Sequence, residues 1–266
     1  MSIIKKGTAG QLEIRIFENR EQLGEDAART VAEKINELHQ EQEIVNIIFA
    51  AAASQNEFLA KLITLDIDWT RVNAFHMDEY IGLPAGAPQH FSYFLGGQIF
   101  NRVPFANVFC LNGTVENTEE ECERYSALLL QYPTDITCMG IGENTHLAFN
   151  DPFMADFNDP KLVKVVELHD ASRQQQVNEG CFDVLEEVPK IAYTLTVPAL
   201  LKAKAIYSMV PGPSKSQAVY HTLVDEISVK YPSTILRTLP NACLFLDVAS
   251  AEMVFQESEL QTVVFE

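Results

Sequence analysis

Two textures alternate along the chain. Short, nearly unbroken apolar runs at residues 12–17, 43–50, 71–76, 135–139, 191–197, 205–210 and 242–248 read as strands. Between them lie charged, amphipathic stretches of helical character: residues 20–40, a segment opening at Ser54, residues 92–101 and 118–131, and a segment opening at Ser214. Strands of this kind alternating with helices predict an α/β fold, a mostly parallel central sheet with helices on both faces in a modified Rossmann-like arrangement. Residues 153–188 break the rhythm. They carry Gln174-Gln175-Gln176, several charges and little apolar period. The expectation is a single domain over residues 1–266, with 153–188 as a surface excursion or lid within it.

A chain of 266 residues, 47% of them hydrophobic, can bury a sizeable core. No apolar run approaches the roughly 18 residues of a membrane span, and residues 1–7 lack the apolar core of a signal peptide. The five cysteines are scattered and form no Cys-x-x-Cys pair, so neither a zinc site nor a disulfide framework is expected. A cytoplasmic location fits best. The net charge of −18 opposes nucleic-acid binding, because phosphates are repelled and no basic tract offsets that. It still permits a small phosphorylated ligand. A few local cations and helix N-terminal amides can hold one phosphate against a field that salt screens within about 8 Å.

Ligands of open α/β sheets sit at the carboxyl ends of strands, and three such ends carry polar residues. Ala51-Ala52-Ala53-Ser54-Gln55-Asn56 joins a strand to a helix, where Ser54 can cap the helix or meet a phosphate. The loop has no glycine, which weakens it as a phosphate loop. His76-Met77-Asp78-Glu79-Tyr80 also follows a strand. Adjacent carboxylates point apart, so one can face a ligand as a base while the other pairs structurally or sits at a helix N-terminus. A metal reading of this His-x-Asp-Glu cluster lacks a second ligand set.

The third end, residues 140–152, combines a glycine-hinged exit with His146 and Asp151. His146 can move a proton near neutral pH, and Asp151 can orient it or compensate its charge; the two can also be plain turn residues. Gly140-x-Gly142 is half a dinucleotide fingerprint without the third glycine. Lys215, in Pro211-Gly212-Pro213-Ser214-Lys215, and Arg173, in the excursion, are cations that could answer a phosphate, with Arg237 and Lys230 behind them.

Taken in order, Met77-Asp78-Glu79-Tyr80-Ile81-Gly82-Leu83, then Gly140-Ile141-Gly142 through His146-Leu147-Ala148-Phe149-Asn150-Asp151-Pro152, resemble the glucosamine-6-phosphate isomerase/deaminase family. Leu195-Thr196-Val197-Pro198-Ala199-Leu200-Leu201 and residues 210–215 look like its later motifs, so the resemblance covers roughly residues 10–250. It implies conversion of an amino-sugar 6-phosphate and water to a ketose phosphate and ammonia, without a redox cofactor or metal and often in a homo-oligomer. His146 would open the ring, and Asp78 would carry the proton from C2 to C1. Asp151 would orient His146, while Ser54, Gln55, Lys215 and Arg173 would hold the phosphate, with Glu79 beside the base.

Three positions and one loop depart from that pattern. Asn144 stands where an aspartate is usual, Thr145 replaces a glycine, Asp151 replaces a glutamate, and residues 51–56 replace a loop rich in Gly, Ser and Thr. Asn144 can fix a tautomer but cannot offset an imidazolium charge. Two other readings stand beside the deaminase. One is a hydrolase of the 6-phosphogluconolactonase kind using His146 to activate water; the other is a sugar-phosphate binder without turnover.

Overall fold

The structure is a computed structural model describing residues 3–152, 154–256 and 262–266; residues 1–2, 153 and 257–261 lie outside the described residues. Among the described residues, one sheet of nine strands forms the centre of the molecule. Its core is parallel: β2 (Leu12–Phe17), β11 (Ala242–Asp247), β10 (Ala205–Val210), β7 (Ile136–Met139), β3 (Val45–Phe49), β4 (Val72–His76) and β6 (Asn107–Phe109), in that spatial order. β1 (Lys5–Ala9) and β12 (Val263–Phe265) extend the β2 edge as antiparallel strands. A smaller antiparallel sheet holds β5 (Asp78–Tyr80), β9 (Ile191–Leu195) and β8 (Val163–Glu167).

Strand side chains alternate between two apolar cores. Cys243 and Phe245 of β11 join Ile47 and Phe49 of β3 against α1 (Arg20–Glu41) and α2 (Asn56–Leu62). Leu244, Leu246 and Ile48 face the other way, onto α4 (Thr118–Gln131), α6 (Val197–Leu201), α7 (Ser216–Val224) and α8 (Glu252–Gln256). Burial on both faces is why these strands read as unbroken apolar runs rather than alternating ones.

Helix starts follow local chemistry. Asn19 accepts from the Gln22 amide at the start of α1, and Asn117 accepts from the Glu119 and Glu120 amides at the start of α4. The apolar run at 191–197 ends early as a strand. Thr196 accepts from the Ala199 amide, Pro198 sits in the first turn, and α6 begins.

The 153–188 segment contains more order than its pattern announced. β8 pairs with β9, and α5 (Asp170–Asn178) follows, capped by His169. α3 (Phe91–Leu95), continued by a π-helical turn at Gly96–Phe100, covers the predicted helix at 92–101.

The strand order places a topological switch between β3 and β7. From β3 the chain runs outward through β4 to β6, then returns to β7 and proceeds the other way to β10 and β11. Loops leaving the carboxyl ends of β3 and β7 therefore diverge and leave a crevice.

Candidate functional site

That crevice is a pocket lined by Ala50–Ala52 and Ser54 after β3, Met77 and Asp78 after β4, and residues 140–142, His146, Ala148 and Phe149 after β7. Lys215 contributes from beyond β10, Phe91 from α3, and Gln175 and Gln176 from α5. The cavity is about 60 Å³. Typical small-molecule sites span roughly 300–1,000 Å³.

Asp78 opens β5 and has only 8% of its surface exposed. Its carboxyl has no hydrogen-bond partner among the described residues, although it lines the pocket. Burial, with the charge of Glu79 added, raises its pKa well above the ordinary carboxylate value. Glu79 points elsewhere. Its carboxylate accepts from the amides of Tyr80, Phe91 and Ser92 and the Ser92 hydroxyl, and lies 3.2 Å from His90 Nδ1. It caps α3 and takes no place in the pocket lining. Burial opposes its ionisation, but His90, His76 and Ser92 together hold its pKa below the usual value.

His76 is wholly buried, and its Nε2 accepts from the Leu111 amide at 2.8 Å. Desolvation pushes its pKa down to about 4, keeping it neutral. His76 therefore turns its nitrogen to the backbone instead of joining Asp78 and Glu79. Among the described residues no group of three His, Cys, Asp or Glu side chains could hold a metal ion.

His146 lies on a tight turn in which the Thr145 amide donates to the Gly142 carbonyl and the Gly142 amide to the His146 carbonyl. Its ring packs over Gly142, where an added Cβ would fall 2.1 to 2.3 Å from Cε1, Nε2 and Nδ1. Thr145 and Ala148, on either side, have φ of 72° and 49°. Left-handed backbone at non-glycine residues costs of order 1–3 kcal/mol each, so the loop must be held from outside. It is: the Ser233 amide donates to the Thr145 carbonyl, and Asn150 Nδ2 donates to the Leu147 and Leu195 carbonyls.

Around His146 the hydrogen bonds fix one tautomer. Asn144 Oδ1 accepts the His146 backbone amide at 3.2 Å, and Asn144 Nδ2 donates to Asp151 Oδ1 at 2.9 Å. With the amide so oriented, Oδ1 lies 2.7 Å from His146 Nδ1 and can only accept there. Nδ1 thus carries the proton, and Nε2 has no hydrogen-bond partner among the described residues. Asp151 Oδ1 stands 3.4 Å from Nδ1, and Ser172 Oγ lies 3.0 Å from Nδ1 while donating to Asp151. Burial raises the Asp151 pKa, but the nearby His146 together with hydrogen bonds from Ser172 and Asn144 outweighs it and brings the value down to about 2.

The proposed phosphate ligands divide. Ser54 and Lys215 line the pocket. Gln55 lies beneath it, its Nε2 directed to Ser54 Oγ at 3.0 Å and to the Met209 and Met139 carbonyls at 3.3 and 3.5 Å. Arg173 does not reach the pocket: its guanidinium pairs with Asp170 and donates to the Leu185 and Val188 carbonyls, so it braces the turn after α5. Arg237 likewise donates to the Leu223 and Asp225 carbonyls, and Lys230 lies over the Tyr231 ring. Lys215 is buried, and its ammonium is 3.7 Å from Glu179. Desolvation lowers its pKa, partly countered by Glu179 and Glu143.

Ser172, Gln175, Gln176 and Glu179 were not identified from the sequence as site residues. The glutamine run was visible as an odd texture, and nothing in the local pattern marked Ser172 or Glu179.

Residues 18–243 match the family model of glucosamine-6-phosphate isomerases/6-phosphogluconolactonase. A glucosamine-6-phosphate deaminase of Listeria welshimeri is 33% identical over 211 residues, covering 79% of this chain and 88% of its own. One from Bacillus cereus is 33% identical over 223 residues, covering 84% and 83%. Among solved structures, a monomeric glucosamine-6-phosphate deaminase superposes with a TM-score of 0.82 at 26% identity, over 90% of this chain and 99% of that one. A 6-phosphogluconolactonase from Thermotoga maritima shares the fold, with a TM-score of 0.70 at 19% identity over 88% and 98%.

Proposed function

The chain belongs to the glucosamine-6-phosphate isomerase/6-phosphogluconolactonase family, and from that premise we propose that it is an amino-sugar 6-phosphate isomerase/deaminase. The observation that carries this reading is Asp78: a buried carboxyl of raised pKa, without a protein partner among the described residues, at the pocket wall. Lactone hydrolysis at His146 would leave such a group idle, whereas proton transfer between adjacent carbons requires it. A base of elevated pKa is also stronger near neutral pH than an ordinary carboxylate.

In the proposed reaction His146 Nε2 takes the anomeric hydroxyl proton and returns it to the ring oxygen, opening the sugar. Nδ1–H stays on Asn144, and Asp151 compensates the transient imidazolium. Asp78 then removes the C2 proton while the carbonyl oxygen O1 gains one from water, giving an enolamine, and delivers its proton to C1 as the amino nitrogen releases one to water. The resulting C2 imine adds water and loses ammonia, so amino-sugar phosphate plus water balances ketose phosphate plus ammonia. No metal or redox group enters these steps.

Lys215 and Ser54, with Gln175 and Gln176 above them, are the proposed phosphate and sugar contacts. A cavity of about 60 Å³ must widen to take a hexose phosphate, and the α5 segment is the wall proposed to move as a lid. Glu179 sits where an incoming phosphate would approach Lys215. Glu179→Gln is expected to lower KM severalfold with kcat changed less. Lys215→Ala is expected to raise KM about 10- to 100-fold, because a charged hydrogen bond to phosphate acts alike on ground and transition states. Steady-state kinetics on both variants check this, and a kcat collapse at constant KM for Lys215→Ala would remove it from phosphate binding.

The direct test offers purified protein glucosamine 6-phosphate and galactosamine 6-phosphate and follows ammonia and ketose phosphate together. Equimolar release of both from either sugar is expected. Binding without products, or turnover of 6-phosphogluconolactone alone, would overturn the proposal.

A further inference from the structure

Asp151 alone does not complete the contact with His146. Its nearer oxygen stands 3.4 Å from Nδ1, beyond a good hydrogen bond. Two side chains occupy the gap. Asn144 reaches from the same loop, touching Nδ1 with its oxygen and Asp151 with its amide nitrogen. Ser172 reaches from α5, a separate element, and is 2% exposed. Its hydroxyl hydrogen goes to Asp151, leaving its lone pairs toward Nδ1–H at 3.0 Å and the Asn144 amide at 3.4 Å.

We propose that Ser172 is a positioning residue: it extends the Asp151 carboxylate to His146 Nδ1 and makes that contact depend on the seating of α5. The inference rests on His146 acting as the proton carrier described above. A hydroxyl that donates to a carboxylate is polarised, so its oxygen is a better acceptor for a developing imidazolium than a hydroxyl with no such partner. The coupling to α5 follows from its other tie to the same loop, where Gln175 Oε1 accepts the Glu143 amide at 3.0 Å. Both contacts break together if α5 lifts. His146 is then held by Asn144 alone while the pocket is open, and gains its second acceptor when α5 returns.

Ser172→Ala and Ser172→Thr test this in the full chain. Two readouts are needed: steady-state kinetics and the low-field proton resonance of the His146 Nδ1–H in ring-labelled protein, assigned by its loss in His146→Gln. Ser172→Ala is expected to lower kcat about tenfold with KM within twofold, and to broaden the resonance through solvent exchange. Ser172→Thr keeps the hydroxyl and is expected to recover most of both. A kcat within twofold of wild type for the alanine variant, with the resonance unchanged, would overturn the proposal. So would equal impairment of both variants with the resonance unchanged in each, since that is a packing effect. If the wild-type protein turns over neither sugar, the reaction assigned above fails, while the resonance alone still decides whether Ser172 holds His146.

Discussion

Asp78→Asn is expected to reduce turnover about 10²- to 10⁴-fold while sugar-phosphate binding stays within severalfold, the loss typical of removing a general base. The same substitution is expected to make the protein more stable at neutral pH. Burial raises the folded-state pKa of Asp78 well above its ordinary value. The folded protein thus binds that proton more tightly than the unfolded chain. Below an unfolded pKa of about 3.9 both states are protonated and nothing is lost; above it, stability falls as pH rises toward the folded pKa. Asparagine removes this term, so the melting temperature of the variant should exceed that of wild type by a margin that widens as pH rises from about 4 toward the folded pKa. Asp151 has the opposite sign. Its folded pKa of about 2 contributes stability above about pH 3.9 that is lost as pH falls toward 2. Thermal melts of Asp78→Asn across this range, beside kinetics, separate a reactive acid from a structural one. A variant that melts lower at neutral pH yet keeps its activity would strip Asp78 of the base role.

Gly142→Ala is expected to cost at least about 100-fold in kcat, from a single added methyl group. The new Cβ would lie within 2.3 Å of three ring atoms of His146, so either the ring or the turn must move. A displacement near 1 Å in a proton carrier is enough for a loss on this scale. Overpacking in the buried turn adds roughly 1–3 kcal/mol of destabilisation. Gly140→Ala is the internal control. There the Cβ would meet Ser54 Oγ at 3.2 Å, a crowding that a small side-chain shift can relieve, and the kinetic loss should be under about tenfold. Gly142→Ala retaining kcat within fivefold would show that the ring's position over this glycine is not required.

The parallel strands were readable because burial on both faces leaves apolar runs with sharp ends; residues 12–17 and 205–210 coincide with β2 and β10. The Asn117-capped helix over residues 118–131 was equally plain. Short partners were not. β5 and β6 are three residues each, and the five residues of β8 show no strict alternation of buried and exposed positions. The positions of Asp78, His146, Ser54 and Lys215 around one pocket followed from reading strand ends. Arg173 could not be placed that way. Its burial against Val188 and Leu185 depends on how the turn after α5 folds back, a tertiary fact with no local mark. The single-methylene difference at Asp151 and the asparagine at 144 were visible, whereas Ser172, which helps span the gap to His146, could be seen only in three dimensions.

The switch between β3 and β7 bears on how the protein assembles. Ile47 pairs with Ile136 across that seam, so the chain between them must close into one long loop before the pairing rewards it. Loop-closure entropy grows only slowly with length, but long-range parallel pairing is among the slower events of folding. That seam is also the floor of the crevice, with Ser54 on one bank and His146 on the other. An intermediate with separate halves would hold most of the secondary structure and none of the site. Recovery of activity after dilution from denaturant should therefore report the closing of this seam, and should trail the return of helical signal.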